Sequence, residues 1–144
     1  MPADCSTRLT ATHRRWTYAT FAALAGSGAL WLVVQYLLQT PDDAPNPLAV
    51  WLMRIHGAVA MLALIFIGTL VTAHVLPALR RRCNRWTGVA MIATVVVLTL
   101  SGYALYYAGS DWTRSLASIT HWVIGLLAVP GLVLHIRHGR RAHR

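Results

Sequence analysis

The sequence predicts an all-α integral membrane protein, a four-helix bundle in a single domain over residues 1–144. Three observations predict it. Hydrophobic residues make up 56% of the chain and charged ones 12%, too apolar for a soluble domain of this size. Four apolar stretches are each long enough, at about 1.5 Å per residue, to cross a hydrocarbon core roughly 30 Å thick. The 13 basic residues are all arginine, and nearly all fall between those stretches.

The elements follow in order. Residues 1–15 are polar and basic. Residues 16–38 carry no charge and read as the first spanning helix. A cleaved signal peptide is the rival, with Ala23-Leu24-Ala25 as its cleavage site, but the apolar run continues well past that point. Residues 39–47, with three prolines and two aspartates, read as a loop. The second helix covers about 48–76 and is expected to stop at Pro77. A cluster of arginines follows, Arg80, Arg81, Arg82 and Arg85. The third helix covers about 86–108. Residues 109–114 read as a short loop, and the fourth helix covers about 115–136. Pro130 lies inside it, a kink that membrane helices tolerate. The tail from residue 137 onward is basic.

Arginine placement predicts orientation. The N-terminus, the second loop and the tail hold 11 of the 13 arginines. The first and third loops have only Arg54 and Arg114, with three of the four aspartates. Positive charge stays inside, so both termini are expected in the cytoplasm, with the chain multi-pass in a bacterial inner membrane. The net charge of +9 then reads as topology signal and lipid-headgroup contact, not as a nucleic-acid footprint. Cys5 and Cys83 are too few and too scattered for a disulfide framework or a zinc site.

The histidines give the chemistry. His56 and His74 are separated on the second span by five whole turns of an ideal helix, so they share one stripe. His121 and His135, on the fourth, fall about 40° short of four turns and also share a face. Both spans enter from outside, so His56 matches His121 in depth and His74 matches His135. The levels are separated by roughly 21–27 Å along the axis. A neutral imidazole inside a bilayer needs a partner for its nitrogens, and a metal supplies one. Two facing pairs would provide axial ligands for two b-type haems. Zinc fits less well, because it prefers four tetrahedral ligands and the spans offer no Asp, Glu or Cys. No Cys-x-x-Cys-His occurs, so c-type attachment is excluded. His13, His138 and His143 read as interface residues.

Gly88 and Gly102, spaced as His121 and His135 are, are placed to leave room for a flat cofactor at the two levels. Gly57, Gly68 and Gly125 are weaker candidates, since small residues also serve helix packing. Arg54 is a candidate partner for the propionates of an outer haem. Arg80, Arg81, Arg82, Arg85 and Arg137 are candidates for the inner one. Trp51, Trp112, Trp122, Tyr106 and Tyr107 read as an interfacial belt.

The segments Arg54-Ile-His56-Gly57, Ser101-Gly102-Tyr-Ala-Leu-Tyr106, His121-Trp-Val-Ile-Gly125 and His135-Ile136 resemble the four-helix di-haem cytochrome b superfamily. That group includes bacterial cytochrome b561 and the membrane b subunits of nickel–iron hydrogenases and formate dehydrogenases. The resemblance covers the four spans and not the loops. It implies two b haems with bis-histidine ligation, His56 with His121 and His74 with His135. It also implies electron exchange with a quinone, a redox partner or a small oxidant such as superoxide or ferric iron. Many members take ligands from the first helix, whereas residues 16–38 contain no histidine and His13 stands just before them. Two other classes remain in view. One is a non-redox membrane protein whose histidines carry protons or a transition metal. The other is an anchor subunit of a larger redox complex.

Overall fold

The computed structural model describes residues 10–38, 44, 46–80 and 85–141, with the side chains of Arg85, Arg140 and Arg141 excepted. Cys5, Arg81, Arg82, Cys83 and His143 lie outside the described residues. Among those described, the chain is helical with no strand. The helices are α1 (Ala11–Leu38), α2 (Pro47–Arg80), α3 (Arg85–Tyr107) and α4 (Asp111–Arg141). All four are long and apolar enough to cross a membrane. Large apolar side chains such as Ile65, Leu100 and Leu127 are exposed, and in a multi-pass membrane protein these surfaces meet lipid.

Four helix limits differ from expectation: α4 runs on past residue 136 to Arg141, and the other three differ for local reasons. α1 begins at Ala11, ahead of the uncharged run, because the Thr10 hydroxyl accepts the His13 backbone N–H at 3.3 Å. His13 therefore lies inside the first helix. α2 passes through Pro77 to Arg80 instead of stopping. A π-turn over Val71–Val75 ends two residues before the proline, and the Leu76 N–H reaches back to Val71 O. The widened turn takes up the clash and lost donor that proline brings. α4 begins at Asp111, because the Ser110 hydroxyl accepts the Thr113 N–H at 3.2 Å. The Arg114 guanidinium donates to Ala108 O at 3.2 Å, which clamps the connection between α3 and α4. The α2 start is as expected, with Asn46 Oδ1 accepting the Leu48 N–H at 3.0 Å and Pro47 at the first helical position. Ser110→Ala removes its cap and is expected to destabilise the α3–α4 turn by about 1 kcal/mol, read as a lower melting temperature in detergent.

The chain divides into two compact units, one over Thr7–Leu76 and one built from Pro77–Arg144. The first is the antiparallel pair α1–α2. Its α1 seam is His13, Thr17, Thr20, Leu24, Ser27, Trp31 and Val34, and its α2 seam is Ala49, Leu52, His56, Val59, Ala63 and Phe66. Every one of these is buried or half-buried. The steps alternate three and four, a mean period of about 3.5 that keeps two helices in contact along their length. Thr17, Thr20 and Ala63 are small and let the backbones approach. Val34, Ala49 and Leu52 close the connecting end, with Trp31 packed against them.

The second unit is the antiparallel pair α3–α4, built the same way. Thr87, Met91, Thr94, Leu98, Ser101 and Leu105 form one seam, and Ala117, His121, Ile124, Ala128, Gly131 and His135 the other. These too are all buried or half-buried. Small residues again set the spacing: a Cβ on Gly125 would touch Leu98 at 3.8 Å, and one on Gly131 would touch the Met91 sulfur at 3.9 Å.

Candidate functional site

Four of the seven histidines sit on these seams, and each meets a hydroxyl of the other helix in its own pair. His121 of α4 faces Ser101 of α3, with Nδ1 3.0 Å from Oγ. The serine's one hydroxyl proton goes to Val97 O, 2.7 Å away. With that proton so placed, its oxygen is able to accept from the imidazole Nδ1. The ring lies over the next residue. A Cβ on Gly102 would come within 3.3 Å of His121 Cε1. The sequence suggests that Gly102 makes room for a flat cofactor; the room it makes holds the histidine ring.

The first unit repeats the arrangement. His56 Nδ1 lies 3.0 Å from Ser27 Oγ, and that hydroxyl donates to Leu24 O at 3.1 Å. A Cβ on Gly28 would come within 3.0 Å of His56 Cε1. Neither Ser27 nor Gly28 stands out in a reading of the sequence. A signal does exist, since Ser27-Gly28, Thr87-Gly88 and Ser101-Gly102 are the same hydroxyl–glycine step on two different helices. The third copy serves His135, whose Nδ1 is 2.9 Å from Thr87 Oγ1. Gly88 differs from its counterparts, as a Cβ there would meet nothing within 4 Å.

Thr87 and Ser101 have the same separation along the chain as His121 and His135. On a seam of period 3.5 that separation is two full heptads, so the two histidines of α4 occupy equivalent positions. The angular offset between them on an isolated helix disappears.

The two other histidines of the first unit, His13 and His74, differ in kind. His13 lies on the α1 seam, two heptads before Ser27. Its Nε2 is 3.2 Å from Thr69 Oγ1, and its ring meets Phe66 edge-on with centroids 5.8 Å apart. The Thr69 hydroxyl donates to Phe66 O at 2.7 Å, so its oxygen is able to accept from the histidine. His74 is half-buried and falls within the π-turn Val71–Val75. The five-turn phase that placed it on the stripe of His56 holds only for an uninterrupted α-helix, and the wider turn shifts it.

Arg54 is exposed, with its guanidinium 5.1 Å from the centre of the Trp51 ring. Stacking occupies the face of the guanidinium and leaves its edge donors directed outward. Arg80 and Arg137 lie near the ends of α2 and α4. Trp51, Tyr106, Tyr107 and Trp112 are exposed near helix ends, and Tyr107 stacks on Tyr103 at 4.3 Å.

Among the described residues, no three His, Cys, Asp or Glu side chains gather into one cluster. The donors on offer are single imidazoles on apolar helices, with His56, His121 and His135 each held at Nδ1. Single imidazoles of this kind could serve as ligands of a haem iron. The chain matches no family model, no curated protein and no solved structure.

Proposed function

We propose that the chain is a di-haem b-type membrane cytochrome that carries electrons between a quinol or a redox partner and an acceptor at or across the bilayer. The observation that carries this reading is the repeated hold on Nδ1 at His56, His121 and His135. A metal-ligating histidine characteristically donates its second ring nitrogen to a fixed acceptor, which sets both tautomer and ring plane. On this reading His56 and His121 hold one haem, and His74 and His135 the other. Bound there, a haem would supply one-electron transfer. The chain's residues would supply the remainder. The apolar helices would exclude water, Arg54 would hold the propionates at the outer side, and Arg80 and Arg137 would serve the inner side. The arginine bias supports a cytoplasmic position for both termini in a bacterial inner membrane. A reporter fused to the C-terminus should therefore read as cytoplasmic. The resemblance to the di-haem cytochrome b superfamily agrees with all of this.

A second assignment of the inner ligand on the first helix pair is favoured by one observation: His13 lies two heptads from Ser27, the residue that holds His56, whereas His74 falls within the π-turn. His13→Ala and His74→Ala decide between them. The variant that loses the inner haem identifies the ligand, and the other should retain both haems.

The functional test is reduction by quinol. The purified chain is placed in liposomes containing a short-chain quinol, and the reduced α-band is followed. Reduction without any other protein supports direct electron exchange. A haem-loaded chain that quinol leaves oxidised is an anchor subunit that needs its partner.

A further inference from the structure

We propose that Ser27 and Ser101 are positioning residues that lock His56 and His121 in the tautomer able to bind iron through Nε2 and that set the electron donation of those ligands. The inference rests on the di-haem reading for its cofactor and on the hydroxyl geometry for its substance.

The argument is one of proton accounting. A serine hydroxyl has one proton. At Ser101 it is committed to Val97 O at 2.7 Å, with Leu98 O at 3.3 Å as a second acceptor. At Ser27 it is within reach of Leu24 O at 3.1 Å, a backbone acceptor that the His56 ring also reaches. Each oxygen then has only lone pairs to offer the imidazole at 3.0 Å. A backbone carbonyl one helical turn away thus dictates, through a serine, which ring nitrogen is protonated. The glycine after each serine completes the device. It lets the ring lie close against the neighbouring backbone, with Cε1 3.0 Å from a Cβ built on Gly28 and 3.3 Å from one built on Gly102. The ring is held at two points, its Nδ1 edge and its Cε1 side, which fixes its plane as well as its tautomer.

Two consequences follow for a bound iron. An Nδ1–H that donates to an acceptor makes Nε2 a stronger donor, which favours the ferric state and lowers the reduction potential. Ser27 acts through His56, Ser101 through His121 and Thr87 through His135.

The experiment is a redox titration of the purified chain and of the variants Ser27→Ala, Ser101→Ala and Thr87→Ala, with 15N NMR of the histidine rings on the same samples. Ser27→Ala, Ser101→Ala and Thr87→Ala are each expected to raise the potential of the haem component whose ligand they hold. Retention of the affected haem should weaken by about 10- to 100-fold, the usual cost of losing an outer-shell partner. Ser101→Thr restores the hydroxyl, as Thr87 supplies it naturally at His135, and should restore the wild-type potential. That rescue separates positioning from general loss of fold. Unchanged potentials in both the Ser27→Ala and Ser101→Ala variants would overturn the proposal. If the chain purifies without haem, the cytochrome reading fails, and the ring nitrogens still decide the positioning claim. Protonated Nδ1 at His56 and His121 sustains it, and protonated Nε2 overturns it.

Discussion

His121→Ala is expected to halve the haem content of the protein while leaving its helices intact. His121 is the most completely specified of the candidate ligands. It lies on the α4 seam, its Nδ1 is held by Ser101, and its ring rests against Gly102. An alanine there is the residue that already serves at positions 117 and 128 of the same seam, so the helix pair can still close. What is lost is one axial ligand, and a haem held by a single imidazole exchanges far more readily. His135→Ala should remove the other half, and the double variant should bind none. Haem-to-protein ratios on the three variants measure this directly. A single change that removes both haems would mean that the two sites are not separate. One that removes neither would take His121 out of the ligand set.

Gly28→Ala should be the most damaging single-methyl change on the first helix pair. The added Cβ would stand 3.0 Å from His56 Cε1, closer than such atoms ordinarily come. The ring cannot swing aside cheaply, because Ser27 on the same helix holds its Nδ1 edge at 3.0 Å. Overpacking at a fixed site costs typically about 1–3 kcal/mol, against which the better helix propensity of alanine returns at most about 1 kcal/mol. Gly102→Ala, at 3.3 Å, asks less of its histidine. Gly88→Ala meets nothing within 4 Å and should be neutral or mildly stabilising. Melting temperatures in detergent should therefore fall in the order Gly88→Ala, Gly102→Ala, Gly28→Ala. Equal values for all three would contradict the close approach of ring to backbone.

Much of this architecture was legible in the sequence, for a physical reason. Spanning helices must be long, apolar and bounded by charge, so four of them can be read from composition, and the structure has four. The limits were less legible, because capping residues act outside the apolar run. Thr10 and Ser110 each extend a helix into polar sequence, and the first of these extensions brings His13 into α1. Pro77 misled, since a proline normally ends a helix and the π-turn that accommodates it has no sequence signature of its own. At the site, His56, His121 and His135 were read from depth and spacing alone. Their hydroxyl partners were not, because a contact between helices depends on which face each turns to the other. The 3.5 period that pairs them emerges only when the half-buried and buried polar residues, Thr17, Thr20, Ser27, Thr87, Thr94 and Ser101, are counted as seam positions. A hydropathy pattern passes over them.

One measurement bears most directly on the central claim. The full chain is expressed with haem supplementation and purified in detergent. Its visible spectra are recorded oxidised and dithionite-reduced, together with haem and protein concentrations. Two imidazole-ligated haems per chain, with a sharp reduced α-band of b type, is the result expected from paired histidines in a helical membrane protein. A colourless protein would contradict the account and leave histidine-based transport of protons or a transition metal as the reading to pursue.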